Sequence, residues 1–360
     1  MNLDLLISNL TNPTLLFFVL GIFAVKVKSD LEIPAGSVKF ISLYLLFAIG
    51  FKGGQELSHS EFDLEILFSL LFGIFLSVIV PLYTFFILKR KLSISDAGAI
   101  AASYGSVSAV TFVAAASFLE LQNLAFGGHM VAVMALMEAP AIVVGVALIM
   151  LYNKKEEDQN LSYDNEEIEE IDEYEPKIIP THDFQIDDTY DAAPPRKISA
   201  TSKLKNIIIH SFTNGSVLMV LGSLIIGLIA DEKQAEGIKP FTTDIFKGFL
   251  AIFLLAMGIE SGKKLSAFLK SGWFAALFAV IIPIFNGSLT AVASGLITDD
   301  IANRFIFAIL AASASYIAVP AAMKIAVPQA NSGLFIPMAL AVTFPFNITV
   351  GMPIYFMLIQ

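Results

Sequence analysis

Cysteine is absent from the 360 residues, which excludes disulfides, thiolate nucleophiles, Cys-ligated zinc and iron–sulfur sites. Histidine is scarce: His59, His129, His182 and His210 are scattered, with no HExxH or other metal-ligand spacing. With no metal-ligand set and no paired nucleophile and base, the chain does not read as an enzyme. Charge is also scarce, at 15% of residues where a soluble chain carries about 25%. Segments of roughly ten residues alternating apolar and polar, the mark of a membrane β-barrel, are missing too.

What fills the chain instead is apolar residue: 56% are hydrophobic and the mean hydropathy is +0.75. Measured against the roughly 20 residues a helix needs to cross a bilayer, the hydrophobic runs number ten. They cover Thr14 to Val27, Val38 to Phe51, Leu64 to Leu88, Ile94 to Leu119, Phe126 to Tyr152, Ile207 to Ala230, Ile245 to Ile259, Trp273 to Ile297, Ile301 to Ile325 and Leu334 to Ile359. The chain therefore reads as an all-α polytopic membrane protein. Its N-terminus, MNLDLLISNLTNP, lacks the basic region of a signal peptide and is expected to be retained.

The net charge of −10 is mostly local. Residues 153–205 hold 15 acidic and 7 basic side chains, a net of −8, which leaves −2 for the rest and no basic surface for nucleic acid. This stretch, with NEEIEEIDEYEP and DAAPPRK, has too few large apolar residues to form a core. It is expected to be a largely disordered acidic linker between a first half, residues 1–152, and a second, residues 206–360.

The two halves echo each other. LFAIGFKGGQELS (Leu46 to Ser58) aligns without gaps on LLAMGIESGKKLS (Leu254 to Ser266) at an offset of 208, and Ser106 and Ser108 fall on Ser313 and Ser315 at 207. Pro81 pairs with Pro283, and Met134-Ala135-Leu136 with Met338-Ala339-Leu340. The expected architecture is two five-helix repeats, inverted because five spans return the chain to the opposite side. With the N- and C-termini outside, the cytoplasmic loops collect Lys26, Lys28, Lys39, Lys89, Arg90, Lys91, Lys263, Lys264, Lys270 and Lys324, together with the linker. Only Lys52, Lys233, Lys239, Lys247 and Arg304 then lie outside, as the positive-inside rule demands.

The fourth and ninth runs are interrupted by small and hydroxyl residues: AASYGSVSAVTFVAAAS from Ala101 and AASASYIAVPAAM from Ala311. Hydroxyls or unwound backbone at membrane depth are tolerated where they face protein or a polar cavity, and paired interruptions mark the binding site of a carrier. Both helices are expected to be broken there. Gly105, Ser106, Ser108, Thr111, Ser313 and Ser315 are the candidate substrate-binding residues. With almost no Lys or Arg at mid-membrane, such a site suits a small singly charged anion entering with a cation. Ser108, Glu138, Ser315, Tyr316 and Thr343 form the candidate cation-binding or coupling set, Glu138 being the one carboxylate well inside a span.

These motifs resemble those of the cyanobacterial-type sodium-dependent bicarbonate transporter family and its wider bacterial permease relatives. The likeness runs in order through NPTLLFFVLGIF, LEIP, IGFKGG, YGSVSAVTFVAAA, MEAPA, MGIE, AASASYIAVPAAM and PQAN, and leaves out the acidic linker. The resemblance implies a homotrimer in the bacterial plasma membrane that takes up bicarbonate with Na⁺ as coupling ion. It further implies restraint by a cytoplasmic PII-like protein, and it carries substrate and ion roles onto Ser108, Thr111, Glu138, Ser313 and Ser315. Where the family reads SSSD with a further Ser and Gly, this chain has Ser313-Ala314-Ser315, then Tyr316, and Ala318 and Val319 beyond. Two other readings stay open: a cation-coupled carrier of another small metabolite, with Glu138 titrating, and a non-transporting sensor or scaffold acting through the acidic linker.

Overall fold

The computed structural model describes residues 7, 9–59, 63–166, 209, 213–268 and 272–360. Among these the secondary structure is entirely helical. Seven helices are long and apolar enough to cross a membrane, and three shorter apolar ones cover Pro13–Lys26, Gly215–Ile229 and Ile301–Ala312. We number α1 Pro13–Lys26, α2 Ala35–Ser58, α3 Leu64–Leu88, α4 Ile94–Gly105, α5 Ala109–Leu121 and α6 His129–Glu166. Then come α7 Gly215–Ile229, α8 Phe246–Phe268, α9 Trp273–Ala293, α10 Ile301–Ala312 and α11 Ala318–Ala326. The last span, Ser332–Ile359, is α12.

Helix starts follow from local chemistry. Asn12 and Asn214 each accept the N–H two residues on, at 2.9 Å, opening α1 and α7 in the same way. Asp63, Ser93 and Asp300 cap α3, α4 and α10 through the N–H three residues on. Outward faces of α1, α3, α7 and α9 are bare Leu, Ile and Phe, among them Phe17, Leu71, Ile226 and Leu289, as a lipid-facing surface requires. By contrast, the span Ile94–Leu121 is the most buried of the seven long ones, which makes α4 and α5 the centre of the bundle.

Glycines set the closest helix approaches. At Gly258 of α8 a Cβ would run into Phe18 O and the Gly21 backbone of α1, and at Gly262 into Val25. At Gly50 of α2 it would run into Val220 O and Ser223 of α7, and at Gly54 into Gly227 and Leu224. The two crossings correspond contact by contact, at an offset of 208 between α2 and α8 and 202 between α1 and α7. Such small-residue seams let backbones touch where lipid gives no hydrophobic drive for helix association.

Three features differ from expectation. The glycine-rich FKGG does not close α2, which runs on to Ser58, because Gly53 and Gly54 serve interhelical contact and not a turn. α6 runs straight through Pro140 and continues to Glu166, across the boundary expected at 153. Residues 167–205 of the expected linker lie outside the described residues. α12 is not a plain helix: its turns over Met338–Thr343 and Asn347–Gly351 are π-helical, a form concentrated at functional sites.

Within α7 two glycines separate packing from propensity. Gly227→Ala is expected to destabilise the purified protein by about 1–3 kcal/mol through overpacking. Gly222→Ala, where the added methyl meets nothing, is expected to be neutral or stabilising by up to about 1 kcal/mol. Thermal unfolding in detergent reads both.

Candidate functional site

α4 stops at Gly105 and α5 starts at Ala109; α10 stops at Ala312 and α11 starts at Ala318. The C-capping residues of α4 and α10, Ser106 and Ser313, share one extended conformation, φ −82° and ψ 175° against φ −80° and ψ 166°. The two unwound links meet in the interior and satisfy each other. Ser315 N–H donates to Ser103 O at 2.8 Å, and Ser103 Oγ donates to Ser315 O at 2.6 Å. Ser108 N–H donates to Ser313 Oγ at 3.0 Å, and that hydroxyl donates on to Leu310 O at 2.9 Å. Ser108 Oγ in turn caps α5 by accepting from Thr111 N–H at 3.2 Å. Buried backbone groups that a helix would have paired are thus paired across the crossing.

Polar groups behind the crossing do comparable work. Pro283 has no N–H for the carbonyl of Ala279, and Thr343 Oγ1 donates to that carbonyl at 2.7 Å. Thr343 Oγ1 also accepts the Tyr104 hydroxyl at 2.7 Å. Asn347 Nδ2 donates to Ala312 O at 2.8 Å, tying off the last turn of α10. The starts of α3, α6 and α10 converge farther out: Asn303 Nδ2 donates to Glu65 Oε1 at 3.5 Å, and Gly127 N–H donates to Asn303 Oδ1 at 2.7 Å, beside the buried His129.

Beside the crossing lies a cavity of about 20 Å³, lined by Ser108, Glu138, Ser315 and Tyr316 with Ser42 and Ser216 among its other walls. That is room for one particle the size of a water molecule. Glu138 is 9% exposed, and its Oε1 has no hydrogen-bond partner. A larger space of about 750 Å³ adjoins it and opens between the ends of α2, α7 and α8, with Glu32, Lys39, Glu260 and Lys263 at its rim. Ser42, Ser216, Tyr316 and Ile317 face both spaces.

Of the residues expected at the site, Ser108, Glu138, Ser315 and Tyr316 come together around the small cavity. Ser313 lies in the hydrogen-bonded joint and not in the wall. Ser106 is fully buried with its hydroxyl unpartnered, and the Thr111 side chain is buried away from the cavity. Gly105 makes room for Pro81, with which any Cβ there would collide. Thr343 spends its hydroxyl on the Ala279 carbonyl, outside the cavity wall. Ser42 and Ser216 went unnoticed in the sequence, although the echo of Asn12-Pro13-Thr14 in Asn214-Gly215-Ser216 was a signal for the second.

Two broken helices crossing inside a polytopic bundle, with unpaired polar oxygen beside the joint, define a membrane carrier. The chain belongs to the Na⁺-dependent bicarbonate transporter superfamily, whose family model matches residues 13–360. No curated protein matches it.

The joint predicts a contrast between two serines. Ser313→Ala leaves the Ser108 N–H unpaired in the interior and is expected to cost about 1–3 kcal/mol of stability. Ser106→Ala removes a hydroxyl that has no partner and is expected to stay within about 0.5 kcal/mol of the parent. Thermal unfolding of the two purified variants checks the difference.

Proposed function

We propose that the protein is a secondary carrier that couples Na⁺ to the uptake of bicarbonate or a similar small anion at the crossing of the two broken helices. The observation that carries this reading is Glu138, a buried carboxylate with an unpartnered oxygen in one cavity with serine hydroxyls. Carboxylate and hydroxyl oxygens are hard ligands that suit Na⁺. Glu138, Ser108 and Ser315 would hold the ion, and the charge it brings is what an anion needs there. Among the described residues no Lys or Arg lines the small cavity. With Glu138 ionised, an anion entering alone would meet its charge in a low-dielectric interior, where repulsion is poorly screened. The cation therefore makes anion entry possible, which is coupling. The N-terminal turn of α5 offers N–H groups to the anion beside the ion, and Thr111 and Ser106 stand behind it.

We read the ten apolar segments as two inverted five-helix repeats. Support comes from the matched glycine crossings, the matched Asn caps of α1 and α7, and the matched breaks after α4 and α10. The positive-inside orientation turns the rim of the 750 Å³ space, with Lys39 and Lys263, toward the cytoplasm. The crossing would then stand closed to the outside and be approached from within.

Uptake of labelled bicarbonate into proteoliposomes is expected to require an inward Na⁺ gradient. Ser108→Ala combined with Ser315→Ala should lower it at least about tenfold, the effect of losing roughly 1.4 kcal/mol of binding. Glu138→Gln should abolish the dependence on Na⁺. Uptake that persists unchanged without Na⁺ overturns the coupling, and an unaltered serine double variant overturns the site. A carrier of another small metabolite would show instead as Na⁺-dependent uptake of a different anion in the same vesicles.

A further inference from the structure

Four residues face both cavities: Ser42, Ser216, Tyr316 and Ile317. Tyr316 and Ile317 lie in the unwound link between α10 and α11 and face both spaces. Tyr316 is 9% exposed, with its ring edge-on to Phe344 at 6.2 Å between centroids. Its hydroxyl reaches Met257 Sδ at 3.8 Å, a weak acceptor, and lies beside the Ser108 side chain. Ile317 is 46% exposed and stands at the N-cap of α11 without a side-chain cap bond.

The corresponding joint in the first half is built differently. Ser108 caps α5 with its own hydroxyl, and its N–H is anchored to Ser313. Opposite it, α11 has only the long contact from Val319 N–H to Ser315 Oγ at 3.4 Å. The second link is pinned as far as Ser315, through Ser103, Ser108 and Leu310, and beyond that point Tyr316 and Ile317 stand before α11 without a side-chain cap bond.

We infer that the Tyr316 side chain is the partition between the large space and the Glu138 cavity, and that its bulk sets the size of what reaches the crossing. With the ring inward, the inner cavity holds one water-sized particle; with the ring withdrawn, the two spaces merge at Ser42 and Ser216. Tyr316 is in this view a specificity-determining residue and not an ion ligand. The inference rests on the crossing being the binding site, but its test reads accessibility and needs no transport.

Since the chain has no cysteine, one introduced thiol is the only reactive one. Ala321→Cys reports the large space and Val107→Cys the small cavity, each lining only that one. Each is made in the full chain with Tyr316, Tyr316→Phe or Tyr316→Ala, and modified in detergent with a charged methanethiosulfonate reagent. Ala321→Cys should react quickly in all three. Val107→Cys should react slowly with Tyr316 and Tyr316→Phe, and at least about tenfold faster with Tyr316→Ala, since thiol reactivity follows exposure. If the alanine chain does not elute as a single species, Tyr316→Leu replaces it with the same two outcomes. Val107→Cys reacting as fast as Ala321→Cys beside the native tyrosine, or no acceleration on truncation, overturns the partition. Failure of bicarbonate uptake would leave these rates unmoved and would count only against the transport reading.

Discussion

Everything in this molecule depends on how two interrupted helices satisfy their backbones inside an apolar interior. A helix that stops at membrane depth leaves N–H and C=O groups that lipid cannot pair, each costing several kcal/mol if buried unpaired, of the order seen for polar groups in hydrocarbon. Here each interruption is the other's solvent. Ser103 and Ser315 exchange two hydrogen bonds, one through backbone N–H and one through hydroxyl, and Ser313 takes the Ser108 N–H. The serines that look like ligands in the sequence are for the most part the price of breaking the helices. What is left over for a ligand is smaller: the Glu138 carboxylate and the hydroxyl oxygens around a cavity of about 20 Å³.

The glycine seams hold that joint in register. α2 lies against α7 and α8 against α1, each through backbone contact at paired glycines. Backbone-to-backbone packing leaves little freedom, which suits these pairs to act as frame. The broken helices lie inside the frame, next to α3, α6, α9 and α12. Pro81 and Pro283 are accommodated in different ways. Gly105 recedes to admit the first ring, while Thr343 takes up the Ala279 carbonyl that the second leaves free.

Most of the architecture was legible from hydropathy. Apolar run length gives the membrane class, and the hydroxyl clusters at Ser106 to Ser108 and Ser313 to Ser315 locate both breaks. Helix ends were less legible, because a glycine pair reads equally as a stop signal or as a contact surface, and FKGG is the second. Site membership was legible in part. Ser108, Glu138, Ser315 and Tyr316 face one cavity, whereas Ser313 and Thr343 point their hydroxyls at backbone carbonyls. No one-dimensional pattern distinguishes a serine that binds a ligand from one that caps a break; that depends on where the other half of the chain comes to lie. Ser42 and Ser216 were overlooked for the same reason, being single hydroxyls in otherwise ordinary apolar helices that only folding brings to the site.

The central claim is that the crossing, and not the outer openings of the bundle, is where the small anion and its cation meet. Hydrogen–deuterium exchange of the purified protein, with and without Na⁺ and bicarbonate together, tests it at the level of backbone amides. The account predicts added protection confined to peptides spanning residues 105–111 and 313–319, appearing only when both solutes are present. Protection that arises elsewhere while those two links exchange unchanged would contradict it.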